Sequence, residues 1–239
     1  MKLMPLFSAA VLLSFFQLSC KKNENPILPQ EQIAAKTQMS GQEVGISALT
    51  TGWTLTPYTY NIQTPHDLPQ SDRYTYSGGQ HTFWIYPDDS PHTPTSNTGP
   101  RSEFRMKNDY LLGKHQFEGD VYIVPGSTGT DVMQVFGGVT NATSFMMKVF
   151  SANNGTLKRY GSQTLMTNVY SRWIHVNVQH DADNGKIYVY LDNAHVGTFD
   201  DRGQATHYFK CGTYNIEGNR SETRWKNIKY WKNGPIGVL

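Results

Sequence analysis

The sequence predicts an all-β fold, an antiparallel β-sandwich or β-jelly roll, and three observations support this prediction. Alternation is the dominant pattern: in KIYVYLDN, Ile187, Val189 and Leu191 fall on one face of a strand and polar residues on the other, as in a half-buried strand. No stretch of the domain keeps a helical period over about a dozen residues. Many short strand-like runs, separated by Gly, Asn and Ser and without internal repeats, are typical of sandwiches and jelly rolls.

Individual strands can be placed along the chain. RWIHVNVQHD alternates like KIYVYLDN, and the DADNG between them is a turn signal, so the two runs predict a β-hairpin. The region from Tyr58 to Pro100 is less regular, and its SPHTPTSNTGP segment is expected to be a loop at one rim of the sandwich. Further strand candidates are TSFMMKVF, HQFEGDVYIV, DVMQVFGGV and RWKNIKYWK.

The N-terminus predicts the compartment. After a basic start, residues 6–18 form an apolar run that is too short for a stable membrane span. The run ends in LSC, the pattern that a lipoprotein signal peptidase reads before it lipidates the cysteine, here Cys20. We expect a bacterial cell-envelope protein, at the outer membrane or cell surface, that touches the membrane through a lipid anchor only. The predicted segments are a lipoprotein signal peptide at 1–19, a flexible tether at 20–50 and one jelly-roll domain at 51–239.

Composition limits the partners and cofactors. The formal net charge of +2 is too small to indicate nucleic acid, and we expect a monomer. Cys211 has no disulfide partner once Cys20 is lipidated. A domain of this length buries about 70% of its unfolded surface, so it needs no disulfide, cofactor or metal to fold. Four acidic residues lie in loops that could bind a structural calcium ion, but no ligand loop of defined spacing predicts one; they are Asp67, Asp72, Asp88 and Asp89.

Two strand candidates carry polar residues suited to an anionic ligand. In GPRSEFRM, alternation places Arg101, Glu103 and Arg105 on one face. Two guanidiniums beside a carboxylate form a row that could bind a ligand carboxylate, and a surface ion-pair row is the equal alternative. In DVMQVFGG, Gln134 and Phe136 share a face, and the Gln amide can both donate and accept hydrogen bonds.

A third strand candidate, HYFKCGTYN, has one polar, aromatic face and one small or apolar face. Tyr208, Lys210 and Tyr214 lie on the first face, which is expected to line a cleft. Cys211 lies on the second face and is expected to pack in the core. His207 falls on the face opposite Tyr208 and Tyr214.

These three motifs together resemble a known signature. RSEFR, MQVF and YFKCGTY, in this order, are similar to the three motifs of family-seven alginate lyases and related jelly-roll lyases of the glucuronan lyase type. The downstream half is also similar to plant citrate-binding-like proteins of the same superfamily. The resemblance spans roughly Thr82 to Lys232 and implies a concanavalin A-like jelly roll whose three motif strands are neighbours in one concave sheet.

The resemblance implies β-elimination on a polysaccharide that contains uronic acid. By motif position, Arg105, with Arg101 beside it, would neutralise the sugar carboxylate, and Gln134 would share that contact. Tyr214 matches the proton-transferring tyrosine, and Lys210 matches a lysine of the same cleft. The residues expected to line the substrate site beside them are Glu103, Tyr208 and Phe136.

The sequence departs from the alginate lyase motifs at one position that bears on the substrate. Family alginate lyases carry a histidine two residues after the glutamine, where this chain has Phe136, whereas glucuronan lyases are expected to use a tyrosine for both proton transfers. The polymer could be of glucuronan, ulvan or alginate type.

Two other function classes are open to this sequence. A non-catalytic carbohydrate- or carboxylate-binding module would use the same arginines and Gln134. A glycoside hydrolase needs two carboxylates about 5 to 9 Å apart, and only Glu103 is suitably placed.

Overall fold

The computed structural model describes residues 48–139 and 142–237. The predicted signal peptide, Cys20 and nearly all of the predicted tether lie outside the described residues. The first described element is a 3-10 helix, Ala48–Thr50, in which Leu49 and Thr50 are buried. Within the described residues, no helix is long and apolar enough to cross a membrane.

Two antiparallel sheets form the sandwich. The first sheet contains β1 (Thr54–Leu55), β3 (Tyr74–Ser77), β4 (Gln80–Ile85), β6 (Lys114–Ile123), β11 (Trp173–Asp181), β12 (Lys186–Leu191), β13 (Ala194–Asp200) and β15 (Ser221–Lys232). The second sheet contains β2 (Tyr60–Gln63), β5 (Arg101–Met106), β7 (Thr130–Phe136), β8 (Thr143–Phe150), β9 (Thr156–Arg159), β10 (Gln163–Thr167) and β14 (Tyr208–Tyr214). A short 3-10 helix, Gln70–Asp72, precedes β3.

The strand orders place the three motif strands together. The first sheet runs β13-β12-β11-β6-β15-β4-β3, with β1 paired to β15, and the second runs β10-β9-β8-β7-β14-β5-β2. In the second sheet, β14 lies between β7 and β5, and both pairings are antiparallel. The predicted all-β sandwich is confirmed, and so is the β11–β12 hairpin.

Alternation sends one side chain in two into the core between the sheets. Val176 and Val178 of β11 are fully buried there, as are Phe104 of β5 and Phe209 of β14. Cys211 is a free, buried cysteine in the same cluster, and burial raises the pKa of its thiol well above the ordinary value. The prediction that Cys211 is a packing residue is therefore confirmed.

The region 58–100 is more regular than the sequence indicated. It contains β2, β3 and β4, and β3 and β4 form a hairpin. Gly78 and Gly79 connect these strands with φ angles of 56° and 79°, the left-handed conformation that a tight hairpin turn favours. The run SPHTPTSNTGP contains neither strand nor helix, as predicted.

Candidate functional site

One row of opposed residues crosses the outer face of the second sheet, the face turned away from the core. Tyr214 on β14 is opposite Arg101 on β5 and Asp131 on β7. Asp131 is opposite Lys148 on β8, which is opposite Lys158 on β9. Directly opposed residues place their side chains on the same face, with neighbouring strands about 4.8 Å apart. Three cations therefore flank Tyr214 and Asp131 along one line, which we name the cationic row: Lys158, Lys148, Asp131, Tyr214 and Arg101.

A second row lies beside it on the same face. Lys210 on β14 is opposite Arg105 and Gln134, and Tyr208 is opposite Phe136. With Glu103 between the rows, opposite Gly212, the structure brings together every site residue that the sequence predicted within the folded domain.

Glu103 is the centre of a buried network. It is 1% exposed, and Lys210 and Gln134 are each 2% exposed. Oε1 of Glu103 accepts a hydrogen bond from Nε2 of Gln134 at 2.5 Å, and Oε2 accepts one from Nζ of Lys210. Burial lowers the pKa of Lys210, and Glu103 opposes this effect. The Gln134 amide thus donates an N–H hydrogen bond within the protein, to Glu103.

Arg105 lies on the predicted face of β5, but its ion-pair partner is Asp109. Its Nη1 lies 2.6 Å from Oδ1 of Asp109, in the segment that follows β5. Its guanidinium carbon lies 3.8 Å from the ring centroid of Tyr208, and the ring of Phe136 stacks on the same Tyr208 ring at 4.7 Å with an interplanar angle of 20°. Burial raises the pKa of Tyr208, and Arg105 opposes it. Phe136, Tyr208 and Arg105 therefore form a stack at one end of the site.

Arg101 and Tyr214 form the accessible part of the site. The guanidinium carbon of Arg101 lies 4.3 Å from the ring centroid of Tyr214, within range of a cation–π contact. Nη1 of Arg101 lies 3.4 Å from Oε2 of Glu103, and Nη2 donates to Oγ1 of Thr98 at 2.7 Å. Both side chains are partly exposed, so a carboxylate that reaches Arg101 also reaches Tyr214.

Asp131 is a buried carboxyl group beside Tyr214. It is 1% exposed, and neither of its oxygens has a hydrogen-bond partner within the part of the chain that the structure describes. Burial raises its pKa to about 8, against the attraction of Lys148 and with a further contribution from Glu103. The group therefore holds its proton at neutral pH and can act as a proton donor.

Sequence reasoning did not find Asp131, Lys148 or Lys158. Strict alternation from Gln134 places Asp131 on the core face, but the register of β7 shifts between Asp131 and Met133. The signal for Lys148 was present, because TSFMMKVF alternates and its Lys lies on the face opposite the buried Met147. Its meaning depended on knowing that β8 is the neighbour of β7.

The candidate calcium-binding loops do not converge on a common point. Asp89 accepts hydrogen bonds from Arg73, and Asp67 accepts one from Ser90. Over residues 48–139 and 142–237, a group of three potential ligands within reach of one ion lies elsewhere, at His180, Asp201 and His207.

The fold and the site together define a jelly-roll protein with a cationic, tyrosine-containing face. A family model described as alginate lyase matches residues 49–232. The chain belongs to this alginate lyase family.

Relatives within the family have different roles. The chain is 43% identical over 190 residues to a citrate-binding protein from Hevea brasiliensis, a match that covers 77% of this chain and 79% of the relative. Alginate lyase AlgAT5 from polysaccharide lyase family 7 is similar in structure, with a TM-score of 0.56, 18% identity and coverage of 72% and 93%. A variant of family 7 alginate lyase A1-II′ in complex with the substrate GGMG has a TM-score of 0.53, 16% identity and coverage of 74% and 93%.

Proposed function

We propose that this protein binds an anionic polysaccharide containing uronic acid and cleaves it by β-elimination. The observation that carries the proposal is the cationic row, in which Tyr214 lies between Arg101 on one side and Asp131, Lys148 and Lys158 on the other. Cations on three strands of one sheet, β9, β8 and β5, suit a polymer that presents carboxylates repeatedly along its length. Membership of the alginate lyase family supports the same class of substrate.

The mechanism assigns the chemistry to two side chains. Arg101 would bind the sugar carboxylate and neutralise the negative charge that develops when the neighbouring C–H proton leaves. Tyr214 would remove that proton and return one to the departing glycosidic oxygen, so the C–O bond breaks as the C=C bond forms. Base and acid then act on the same face of the sugar. The Arg101 guanidinium lies over the Tyr214 ring, so a carboxylate bound to Arg101 would lie beside the Tyr214 side chain.

The other residues of the site would serve the reaction indirectly. Glu103, held by Lys210 and Gln134, would fix Arg101 in place. Arg105, paired with Asp109, would bind a carboxylate of a neighbouring sugar only if it left that partner. Tyr208 and Phe136 offer a stacked aromatic surface for the sugar ring. Since Phe136 stands where family alginate lyases carry a histidine, we propose a polymer of glucuronan or ulvan type in preference to alginate.

The test is the ultraviolet absorbance of unsaturated uronate ends. The purified full chain would be incubated with glucuronan, ulvan, alginate and polygalacturonate, beside Tyr214→Phe. A matched control is Tyr76→Phe, an exposed tyrosine on the first sheet. The expected result is a rise on glucuronan or ulvan that is lost in Tyr214→Phe and kept in Tyr76→Phe. A rise that persists in Tyr214→Phe would refute the assignment of Tyr214.

A second function, carboxylate or carbohydrate binding without cleavage, is favoured by one observation. The relative with 43% identity is a citrate-binding protein. In keeping with this, Phe136 has no group that could act as a base at the position where family alginate lyases carry a histidine. Calorimetric titration with citrate and with the same polysaccharides would decide. Binding without any rise in absorbance would establish a binding module, whereas turnover would establish the lyase.

We also propose that Cys20 carries the lipid that holds the protein at a bacterial cell envelope. The support is the LSC sequence after a short apolar run. Cys20→Ala is expected to move the protein from the membrane fraction to the soluble fraction after cell breakage. Equal membrane retention in both forms would argue against lipid anchoring.

A further inference from the structure

A buried cluster of potential metal ligands connects the two sheets, apart from the cationic row. His180 belongs to β11 of the first sheet, Asp201 follows β13, and His207 directly precedes β14 of the second sheet. One ligand atom from each of the three lies within 4.8 Å of the others. Nε2 of His180 is 3.1 Å from Oδ2 of Asp201, and Nε2 of His207 is 4.0 Å from the same oxygen.

His207 is the member of this cluster that the protein alone leaves unsatisfied. It is 1% exposed, and neither ring nitrogen makes a hydrogen bond of ordinary geometry to any residue that the structure describes. The backbone carbonyl of Phe136 lies near the ring, and Nε2 is 4.0 Å from Oδ2 of Asp201. Buried polar groups almost always have a partner, so Nε2 of His207 indicates a missing ligand.

The other two residues are held in place by groups around them. Nδ1 of His180 lies 2.9 Å from the hydroxyl of Tyr110, and Oδ1 of Asp201 accepts a hydrogen bond from the backbone N–H of Gly203 at 2.8 Å. Partners of this kind orient metal-binding side chains in proteins. Nε2 of His180 and Oδ2 of Asp201 are hydrogen-bonded to each other at 3.1 Å, and a bound ion would replace this contact with two metal–ligand bonds.

We propose that Nε2 of His180, Oδ2 of Asp201 and Nε2 of His207 bind a divalent transition metal ion of the Zn²⁺ class. Two imidazoles and one carboxylate favour such an ion over calcium or magnesium, which prefer oxygen ligands alone. Ligand atoms around a tetrahedral zinc ion lie about 3.3 Å apart, so small side-chain rotations complete the site. Asp201, which is 8% exposed, provides the side from which the ion and a fourth ligand, water, enter.

A bound ion would also have a structural consequence. The ion would join β11 to the start of β14, next to Tyr208, and so connect the two sheets at one end of the candidate site.

Cobalt(II) titration of the purified, chelator-treated full chain tests the proposal without any activity measurement. One equivalent of Co²⁺ is expected to give the visible absorption band of a tetrahedral site, and zinc is expected to displace it. Elemental analysis should find about one metal ion per chain after dialysis against zinc. At a zinc concentration 100-fold above Kd, the melting temperature should rise by about 5 to 10 °C.

Matched variants separate the cluster from adventitious binding. His207→Ala and Asp201→Asn are expected to abolish the cobalt band, and Tyr110→Phe to weaken metal affinity by about 10- to 100-fold. His195→Ala, at an exposed histidine of β13, should change nothing. No band in the wild-type chain, or an undiminished band in Asp201→Asn, would overturn the proposal. Circular dichroism of each variant confirms folding, and the wild-type titration decides the matter where a variant does not fold.

Discussion

Two buried carboxyl groups on the outer face of the second sheet lie in opposite environments. Glu103 accepts hydrogen bonds from Lys210 and Gln134. Asp131 is equally buried but has no hydrogen-bond partner among the described residues, so burial dominates and its pKa rises to about 8. Two equally buried carboxyl groups on one face therefore differ in the hydrogen-bond donors that the protein supplies to them.

Asp131→Asn is expected to stabilise the protein above about pH 5. The pKa of Asp131 is 3.8 in the ordinary state and about 8 in the fold, so between these values the native state holds a proton that the unfolded chain has lost. Stability then falls as pH rises, by up to about 1.4 kcal/mol per pH unit from this group. In thermal melting from pH 3 to 8, the melting temperature of Asp131→Asn should rise above that of the wild type as pH increases. Below about pH 4 the two melting temperatures should not differ in this way.

The control for this prediction is Asp88→Asn, at an exposed acidic residue. It should melt like wild type across the range. A gain for Asp131→Asn that is equal at pH 3 and pH 8 would contradict the assigned cause, because it could not come from a change in protonation.

Replacing one partner of the Glu103–Lys210 pair should lower the free energy of unfolding more than replacing both partners. Glu103→Gln leaves a buried ammonium and Lys210→Met leaves a buried carboxylate, and each is expected to cost about 3–5 kcal/mol of unfolding free energy. The double variant should lose less than the sum, since neither charge is left unpaired. Urea denaturation measures all three, and simple additivity would show that the two groups are not coupled.

At the scale of elements, period-two alternation predicted a strand correctly wherever the ladder was regular. It placed the two faces of β5, β11 and β14 correctly, including Cys211 in the core and Tyr214 outside. It failed on β7, where a register shift moves Asp131 to the outer face, and a shift depends on the neighbouring strands rather than on local sequence. It also missed the β3–β4 hairpin, because the polar Thr and Ser of β3 hide its alternation.

The cationic row is also a property of several elements together. Lys148 and Lys158 come from adjacent strands and lie on the line of Tyr214. Each cation contributes roughly 1 kcal/mol to attraction of a nearby carboxylate, so Lys148→Gln and Lys158→Gln should each weaken binding of an anionic polysaccharide about fivefold. Lys226→Gln on β15 of the first sheet removes the same charge and should have little effect. Equal losses in all three would show that only the total charge matters.

At the scale of the whole molecule, the fold and the site are separable. The core lies between the sheets, and its residues could be predicted from periodicity alone. The chemistry lies on the outer face of one sheet, where its partners are set by strand order, which the sequence does not state. Arg105 shows the difference: its strand and face were predicted, but its partner, Asp109, lies in the segment after the strand, where periodicity gives no information.

The net charge of the chain is only +2, which is too small to attract a polyanion by itself. Attraction of a polyanion must then come from the local field of the cationic row, which acts over a Debye length of about 30 Å at 0.01 M salt and about 8 Å at 0.15 M. Affinity for a uronate polymer, measured by calorimetry, should therefore fall steeply between these salt concentrations. A polymer whose carboxylates have been reduced to alcohols should bind weakly and independently of salt. If the charged polymer also binds independently of salt, the row is not the binding surface, and contact with the Phe136–Tyr208 stack would have to supply the affinity.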